Sequence, residues 1–342
     1  MPDLSVIIPV YNRGELIRYT LESLRRASSG LAMESIVVDD GSTSPVAADL
    51  ERLGYATTIR LIRQTNQGLL FARLAGLAAA TGRYTLFLDS DDLVAPDKLR
   101  RQIAAMDAAR CEVSYTDTAR CHLQGDYDAL EVTADAPVRA TSDPADFFIN
   151  IQPAPHSPMF RTDYLRKVVH RAYFPPSPLY NSVAEIWFYH NAAPRPGRVV
   201  HVPGPLTISG VHAAMRLTNH WERLAVASLG VMEAFARSVP PSPEHALVCR
   251  FVGEKAFRSW RRLPRGFSRE YDARLLRLWQ RLAAGHPDLT PLGGRSFRLA
   301  CTVLGSVLAG RLFRRWQNGS YESIRTVESE ELNRLLAALP PP

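Results

Sequence analysis

The sequence predicts an α/β fold, with a mostly parallel sheet flanked by helices and followed by a mainly helical region. Three observations carry this prediction. Short apolar runs rich in Val and Ile alternate with segments of helical period over residues 4–115. Polar clusters follow the ends of those runs. The 342 residues are 46% apolar and 22% charged, so the chain is globular and can bury a large core with an appendage.

The elements can be placed in order from their composition and their end signals. Residues 4–10 form the first strand, and Asn12 is a candidate N-cap for the helix that follows. Ser44–Pro45 opens the second helix and Gly54 closes it, while the third helix, rich in Ala and Leu, stops at Gly82. The predicted strands are residues 4–10, 35–38, 57–62, the first half of 84–92, and 113–115, and the predicted helices begin near residues 16, 44, 69 and 96.

Polar residues fall just past the carboxyl end of each of the first four predicted strands. They are Asn12, the pair Asp39–Asp40, Asn66, and the segment Asp89–Asp91. In a parallel sheet these ends face one crevice, where ligands bind. The sequence therefore predicts that the four clusters form a single site.

The segment after the fourth strand carries three carboxylates in four residues, Asp89, Asp91 and Asp92. Two like charges about 4 Å apart repel by roughly 4 kcal/mol at an effective dielectric near 20, and a divalent cation would offset this. Carboxylate oxygens suit Mg²⁺ or Mn²⁺ better than zinc. The alternative is a solvated loop. Neither a Gly-x-Gly-x-x-Gly nor a Gly-Lys-Ser/Thr motif is present, so a cation gripping substrate phosphates is favoured over a dinucleotide site or a P-loop.

Four motifs in unbroken order resemble the family 2 glycosyltransferases of the GT-A fold. They lie in residues 5–12, 38–42, 66–73 and 81–92. The resemblance implies a Rossmann-like catalytic domain that binds a nucleotide-diphosphate sugar, with a leaning to uridine. It implies nucleotide contacts from Pro9, Tyr11, Asn12, Asp39, Asp40, Asn66, Gly68 and Asp89, and a Mg²⁺ or Mn²⁺ site at Asp89 and Asp91, with Asp91 the direct ligand. Two alternatives stay open: Asp39 could cap its own turn, and Arg73 is favoured as a salt bridge within the fold.

The resemblance is weaker beyond residue 110. It places His156 on the acceptor or diphosphate side, although a structural histidine is the alternative. It makes Glu185 the catalytic base if the helix aligns without a gap; shifted by one residue, the base position falls on Ile186, which cannot act. It implies that His212 lies near the diphosphate and metal. Gly210 replaces the family's Arg, and Arg216 is the candidate to supply the lost charge.

The sequence divides into a catalytic domain over residues 1–220 and a basic, mainly helical region over residues 221–342. The second region carries 19 Lys and Arg against 11 Asp and Glu. Its helices are predicted over residues 224–235, 246–260, 271–284 and 297–316. Arginines crowd beside aromatic residues here, as in helices that lie on anionic membranes; a solvated basic face is the alternative. These residues are Arg258, Arg261, Arg262, Arg265, Arg311, Arg314 and Arg315, with Trp260, Phe267, Phe313 and Trp316.

The location expected from the sequence is the cytoplasm, with peripheral contact at the inner face of the membrane. The four cysteines are scattered, which argues for a reducing compartment and against a zinc site. The N-terminus has no secretion signal, and the sequence contains no apolar run of about 20 residues.

The expected activity is an inverting transfer of a sugar to an acceptor hydroxyl, on a glycan or a lipid-linked acceptor, in bacterial surface polysaccharide or glycoconjugate synthesis. Two rivals remain. A sugar nucleotidyltransferase would need a Gly-rich, Lys-bearing loop after the first strand, which residues 9–14 do not supply. A catalytically degenerate nucleotide-binding or scaffolding protein is suggested by Ile186 and Gly210. Nucleic-acid binding has only charge in its favour.

Overall fold

A computed structural model describes residues 2–213 and 219–341 of the chain. The described residues form two compact units. The first holds residues 2–147, 151–172 and 195–213, and the second holds 148–150, 173–194 and 219–341. This division differs from the predicted domains, because residues 173–194 cluster with the later helices.

The first unit alternates strands and helices as predicted. Its strands are β1 (Leu4–Val10), β2 (Met33–Asp39), β3 (Ile59–Arg63), β4 (Tyr84–Phe87), β5 (Leu93–Val94), β6 (Val113–His122), β7 (Val132–Ala134), β8 (Met159–Arg161) and β9 (Val199–Val211). Its helices are α1 (Ile17–Ala27), α2 (Val46–Arg52), α3 (Leu69–Ala79), α4 (Lys98–Ala109), the single turn α5 (Pro144–Asp146), and α6 (Thr162–His170).

All of these strands belong to one sheet, with the order β3-β2-β1-β4-β8-β6-β9-β5 and β7 beside β6. Strand β1 is buried along its whole length and pairs in parallel with β2 and β4, while β2 pairs in parallel with β3. Val10 is in register with Asp39, and Asp39 with Arg63. The loops that follow these parallel strands therefore leave from the same edge of the sheet, which confirms the predicted arrangement.

The start of α1 differs from the sequence prediction. The helix begins at Ile17, and the residue before it, Leu16, makes no side-chain capping bond. Asn12 does not cap this helix; it lies in a turn with φ of 53°, a left-handed conformation that Asn tolerates better than most residues. Its amide is used elsewhere, in the site described below.

The second unit is helical. It contains α7 (Ala184–Ala192), α8 (Trp221–Ser238), α9 (Ala246–Arg262), α10 (Arg269–Leu282), α11 (Arg295–Leu304), α12 (Ser306–Gln317) and α13 (Ser329–Ala337). The single helix predicted over residues 297–316 is wrong. Gly305, with φ of 75°, separates α11 from α12, because such a backbone angle is easily adopted only by glycine.

Part of the basic and aromatic cluster predicted to face a membrane lies inside the second unit. Trp260 and Phe267 are buried, and the guanidinium of Arg261 lies 3.5 Å from the centre of the Phe297 ring. These side chains build the core between helices, whereas Trp316 of the same cluster is 81% exposed. Over residues 2–213 and 219–341, none of the helices combines the length and apolar character required to traverse a lipid bilayer.

Candidate active site

The two aspartates at the carboxyl end of β2, Asp39 and Asp40, hold the loops of the sheet edge together. Asp39 is 1% exposed, and its carboxylate accepts hydrogen bonds from the backbone N–H groups of Ser42 at 2.9 Å and Val46 at 3.4 Å. These contacts are the ones expected if Asp39 caps its own turn, which is the alternative that the sequence left open. The carboxylate also satisfies donors near the start of α2.

Asp40 reaches the loop that follows β3. Its Oδ1 accepts from Gln64 Nε2 at 2.8 Å and from the Gln67 N–H at 3.0 Å, and its Oδ2 accepts from the Gly68 N–H at 2.8 Å. Gly68 has φ of 93° and immediately precedes α3. A carboxylate is favoured at this place, because the N-terminus of a helix carries partial positive charge. Asp40 therefore fixes the loop containing Asn66, whose own side chain is exposed.

The loop after β1 is joined to the loop after β2 through Asn12. The Asn12 N–H donates to Ser42 Oγ at 3.0 Å, and its side-chain oxygen accepts from the Thr43 N–H at 2.8 Å. Beside it Tyr11 is 49% exposed, and Pro9 is buried within β1. Of the predicted nucleotide contacts in this loop, Tyr11 is thus an aromatic side chain with a large exposed surface, and Asn12 is exposed as well.

Asp89 is paired with a buried arginine. Arg73 in α3 is fully buried, and its Nη2 donates to Asp89 Oδ1 at 2.7 Å. This contact confirms the salt bridge within the fold that the sequence favoured for Arg73. One of the two carboxylates of the predicted metal motif is thus already offset by a positive charge.

Asp91 lies between two basic side chains. Arg13, from the loop after β1, donates to Asp91 Oδ2, and His212 Nε2 lies 2.7 Å from the same oxygen. Arg13 keeps 23% of its side chain exposed, whereas Asp91 and His212 keep 10% and 4%. The structure therefore brings together the loops after β1 and β4 and the end of β9, as predicted for Asp91 and His212.

Gly210 allows β9 to run against the acidic turn. A Cβ atom at this position would lie 2.0 Å from the backbone oxygen of Asp91 and 2.6 Å from Leu123 Cδ1. The Gly210 N–H donates to Asp92 Oδ1 at 3.0 Å. The residue that replaces the family's Arg thus has a steric role here, because no side chain fits between β9 and the turn.

His156 lies in the core of the first unit. It is 1% exposed, and its Nδ1 lies 3.0 Å from Asp92 Oδ2. Its place on the acceptor or diphosphate side remains a prediction from the sequence. Its contact positions Asp92, which in turn holds β9 through Gly210.

A buried lysine, Lys98, forms hydrogen bonds with the segment that follows His156 and with β9. Lys98 Nζ donates to the Ser157 backbone oxygen at 3.1 Å and to Thr207 Oγ1 at 2.9 Å. Complete burial lowers the pKa of Lys98 well below its usual value, because a charge in the core loses its hydration. The network connects α4, the segment after His156, and β9.

The carboxylate oxygens of Asp89 and Asp91 are of the type that a small hard cation prefers. Asp89 and Asp91 offer carboxylate oxygens, and His212 Nδ1 is buried without a hydrogen-bond partner among the described residues. In residues 2–213 and 219–341, no three His, Cys, Asp or Glu side chains gather closely enough to enclose a metal. A cation here would therefore be of the kind held by one or two carboxylates, with water and substrate phosphate completing its shell.

Two of the predicted site residues are not brought to this edge by contacts within the first unit. Glu185 belongs to the second unit, in the first turn of α7, where it is partly exposed. Arg216 lies outside the described residues. Their roles remain predictions from the sequence.

Arg13 is the site residue that the sequence analysis missed. It stands inside the motif at residues 9–14, but a lone Arg in a loop carries no signal of its partner 78 residues away. The sequence did carry one signal for it: the family's Arg is absent at position 210, which indicates that another residue supplies the positive charge.

The first part of the chain is similar to known glycosyltransferases. The profile of the family described as "Glycosyl transferase family 2" matches residues 5–165. The chain is similar to the succinoglycan biosynthesis protein ExoO of Rhizobium meliloti (strain 1021), with 38% identity over 109 residues, which cover 32% of this chain and 31% of that protein. It is 41% identical over 98 residues to the putative glycosyltransferase EpsH of Bacillus subtilis (strain 168), over 28% of each chain. The matched part thus spans about a third of these relatives or less.

Solved structures with the same fold cover nearly the whole chain. S. aureus TarS 1–349 in complex with UDP-GlcNAc has a TM-score of 0.61 and 17% identity, over 95% of this chain and 93% of that one. The mannosyltransferase PcManGT of Pyrobaculum calidifontis, in complex with GDP-Man and Mn²⁺, has a TM-score of 0.53 and 16% identity, over 92% and 87%. At these identities the likeness concerns the fold, which is the GT-A fold of glycosyltransferases.

Proposed function

We propose that this chain, whose residues 5–165 match the family described as "Glycosyl transferase family 2", moves a sugar from a nucleotide-diphosphate sugar to an acceptor hydroxyl with inversion. The observation that carries the proposal is the contact of Arg13 and His212 with Asp91 at the sheet edge. It brings two basic groups and a carboxylate together where ligands bind in such sheets.

The donor is proposed to bind along this edge, with a uridine nucleotide favoured. Tyr11 is exposed there and offers a ring face to a base, while Asp39 and Asp40 keep the surrounding loops in place. Arg13 is the charged donor suited to a diphosphate oxygen, since a guanidinium forms strong, directed hydrogen bonds with phosphate. TarS and PcManGT, the structural neighbours with UDP-GlcNAc and GDP-Man, support a nucleotide sugar as the ligand class.

A Mg²⁺ or Mn²⁺ ion is proposed to be held by Asp91, with Asp89 and His212 beside it. Such an ion would neutralise charge that develops on the departing diphosphate. The chain's own contribution is to orient Asp91 through His212 and to present Arg13 to the same phosphates. These positive groups, fixed before the reaction, stabilise the leaving group.

Glu185 is proposed as the base that takes the proton from the attacking hydroxyl. The proposal rests on its place in the sequence, where the family carries an Asp. A carboxylate one methylene longer retains the capacity to accept the proton. The acceptor oxygen would attack from the face opposite the diphosphate, which inverts the anomeric centre.

The acceptor is proposed to be a glycan or a lipid-linked glycan, in the building of bacterial surface polysaccharide. The name of ExoO, a succinoglycan biosynthesis protein, supports this class. Work on a lipid-linked acceptor would place the chain in the cytoplasm, in peripheral contact with the inner face of the membrane.

The test is binding and hydrolysis of nucleotide sugars by the purified chain. Thermal shifts would be measured with UDP, GDP and their sugars, with and without Mn²⁺, followed by release of nucleoside diphosphate. Asp91→Asn should lose metal-dependent binding and about two to three orders of magnitude in turnover. Asp97→Asn is the matched control, because Asp97 is 47% exposed and pairs with Arg101 on its own helix.

The proposal fails if no nucleotide sugar binds with divalent ions present, or if Asp91→Asn is as active as the control. Release of pyrophosphate from a nucleoside triphosphate would instead identify a nucleotidyltransferase. Tight nucleotide binding with no turnover of any donor would identify a degenerate binding protein.

A further inference from the structure

The helices α11 and α12 expose an unusual amount of apolar side chain. Trp316 is 81% exposed and Val303 77% exposed, values typical of residues in full contact with solvent. Exposed apolar residues scattered singly are ordinary, but a contiguous group marks an interaction surface. We call the following residues the α11–α12 face: Leu299, Val303, Leu304, Leu308, Leu312 and Trp316.

The spacing of these residues makes two outward stripes. Leu299 and Val303 are four residues apart on α11, and Leu308, Leu312 and Trp316 follow the same spacing on α12. The α11–α12 face is therefore organised by the helices and is not a chance scatter of apolar side chains.

Other residues of the same helices already supply the internal packing. Phe297 and Cys301 of α11 are buried, as are Ala309 and Gly310 of α12. Gly310 is so close to α9 that an added Cβ would lie 2.3 Å from the Trp260 ring. The second unit thus has no need of the outward stripes for its own core.

The charged residues within the stretch of chain that contains α11 and α12 are all of one sign. Residues 289–321 contain five Arg and no Lys, Asp or Glu. Arg295, Arg311 and Arg315 are exposed and form no ion pair with any residue the structure describes, whereas Arg314 bonds Asp272 at 2.9 Å. By helical position, Arg311 and Arg315 flank the stripe of Leu308, Leu312 and Trp316. Exposed apolar side chains bordered by arginines that form no ion pair match the chemistry of an anionic bilayer surface.

We propose that the α11–α12 face docks on the surface of a membrane containing anionic lipid. A second copy of the chain is a poorer occupant, because joining two such faces would bring together six arginines that form no ion pair among the described residues. With 10 and 12 residues, α11 and α12 are shorter than the roughly 20 residues needed to span a bilayer, so they lie along its surface. This inference deepens the proposed function, which sets the chain beside a lipid-linked acceptor, and it rests on that function only for its biological purpose.

The test is co-sedimentation of the full chain with vesicles. One set contains only zwitterionic phosphatidylcholine, and the other adds anionic phosphatidylglycerol. The wild type should bind the anionic vesicles, more weakly as salt is raised, because surface charges are screened. Binding should also move Trp316 fluorescence to shorter wavelength, since three of the other four tryptophans, Trp187, Trp260 and Trp279, are buried.

Two variants separate the apolar and the charged parts of the surface. The triple change Val303→Ser, Leu308→Ser and Trp316→Ser should weaken binding about 100-fold, because the apolar area that enters the interface is removed. The triple change of Arg295, Arg311 and Arg315 to Gln should weaken binding to anionic vesicles by a similar factor, about 100-fold.

The matched control changes Val132 and Leu247 to Ser. These residues are 51% and 42% exposed and lie outside the face, so binding should stay at the wild-type level. Circular dichroism should show unchanged melting for all three variants, because every substituted side chain is exposed.

Absence of wild-type binding, or equal binding by the control and the two face variants, would overturn the inference. So would a dimer, seen by analytical ultracentrifugation, that the serine variant dissociates without any change in vesicle binding. The assay needs no donor or acceptor. Vesicle binding without turnover of any donor therefore supports the docking face and removes the proposed function, while turnover without vesicle binding does the reverse.

Discussion

Replacing Gly210 by Ala should damage the donor site more than the fold. The new Cβ would lie 2.0 Å from the Asp91 backbone oxygen, against an ordinary contact of at least 3.4 Å. Strand β9 and the backbone at Asp91 must therefore separate by more than 1 Å. Rotation of Leu123 can relieve its own clash, but no side-chain rotation moves a backbone carbonyl.

The displacement falls on Asp91, which His212 and Arg13 contact. A misplacement of about 1 Å in a catalytic site costs about 100-fold in rate, so turnover of the donor should fall by about that factor. Overpacking of this kind costs about 1–3 kcal/mol of stability, which leaves a chain of this size folded. The substitution should therefore lower the turnover of a protein that still melts cooperatively.

The assay is release of nucleoside diphosphate from the donor that the wild type binds, together with melting by circular dichroism. Gly197→Ala is the matched control in the same unit, because its Cβ would lie 3.5 Å from the Tyr164 ring, an ordinary contact. Gly210→Arg, which restores the family's residue, should lose at least as much activity, since it carries the same Cβ. Wild-type turnover in Gly210→Ala would refute the reasoning, because β9 would then yield without moving Asp91.

Three further outcomes are expected. Arg13→Gln should weaken nucleoside-diphosphate binding about tenfold by calorimetry, because one charge-assisted contact is lost; unchanged affinity would remove Arg13 from the site. Glu185→Gln should abolish turnover while diphosphate affinity stays near wild type, and full activity would dismiss Glu185 as the base. Burial lowers the pKa of His190 from 6.5 to about 3, so the unfolded chain takes up that proton first as pH falls. The free energy of unfolding measured by urea titration should therefore be about 2 kcal/mol lower at pH 5 than above pH 6.5. His190→Leu should lack this loss of stability, whereas His170→Gln should retain it. The same pH dependence in both variants would contradict the assignment.

The parallel half of the sheet could be predicted because its central strands, β1 and β4, are buried on both faces. Strands of this kind, such as β1, are continuous apolar runs that read clearly in a sequence. The second half could not be predicted, because β8 has three residues and pairs antiparallel with both β4 and β6. Pairing between short, distant segments leaves no periodic signal.

The site divides in the same way. The carboxylates of Asp40 and Asp91 could be placed, because residues at the ends of parallel strands share one edge of the sheet. The buried position of His156 could not, since burial depends on packing from segments far away in the sequence. The break at Gly305 was hidden by apolar residues that continue on both sides of it.

The three hydrogen bonds that Asp40 accepts from the segment leading into α3 have a thermodynamic consequence for recognition. They fasten two loops of the crevice to each other before any substrate arrives. Ordering a mobile loop on binding costs part of the free energy of association, and in this chain the ordering has already taken place on folding. An incoming nucleotide would therefore meet loops that are already ordered. In Asp40→Ala these loops would have to become ordered on binding, so calorimetry should show a lower affinity with a more unfavourable entropy of binding.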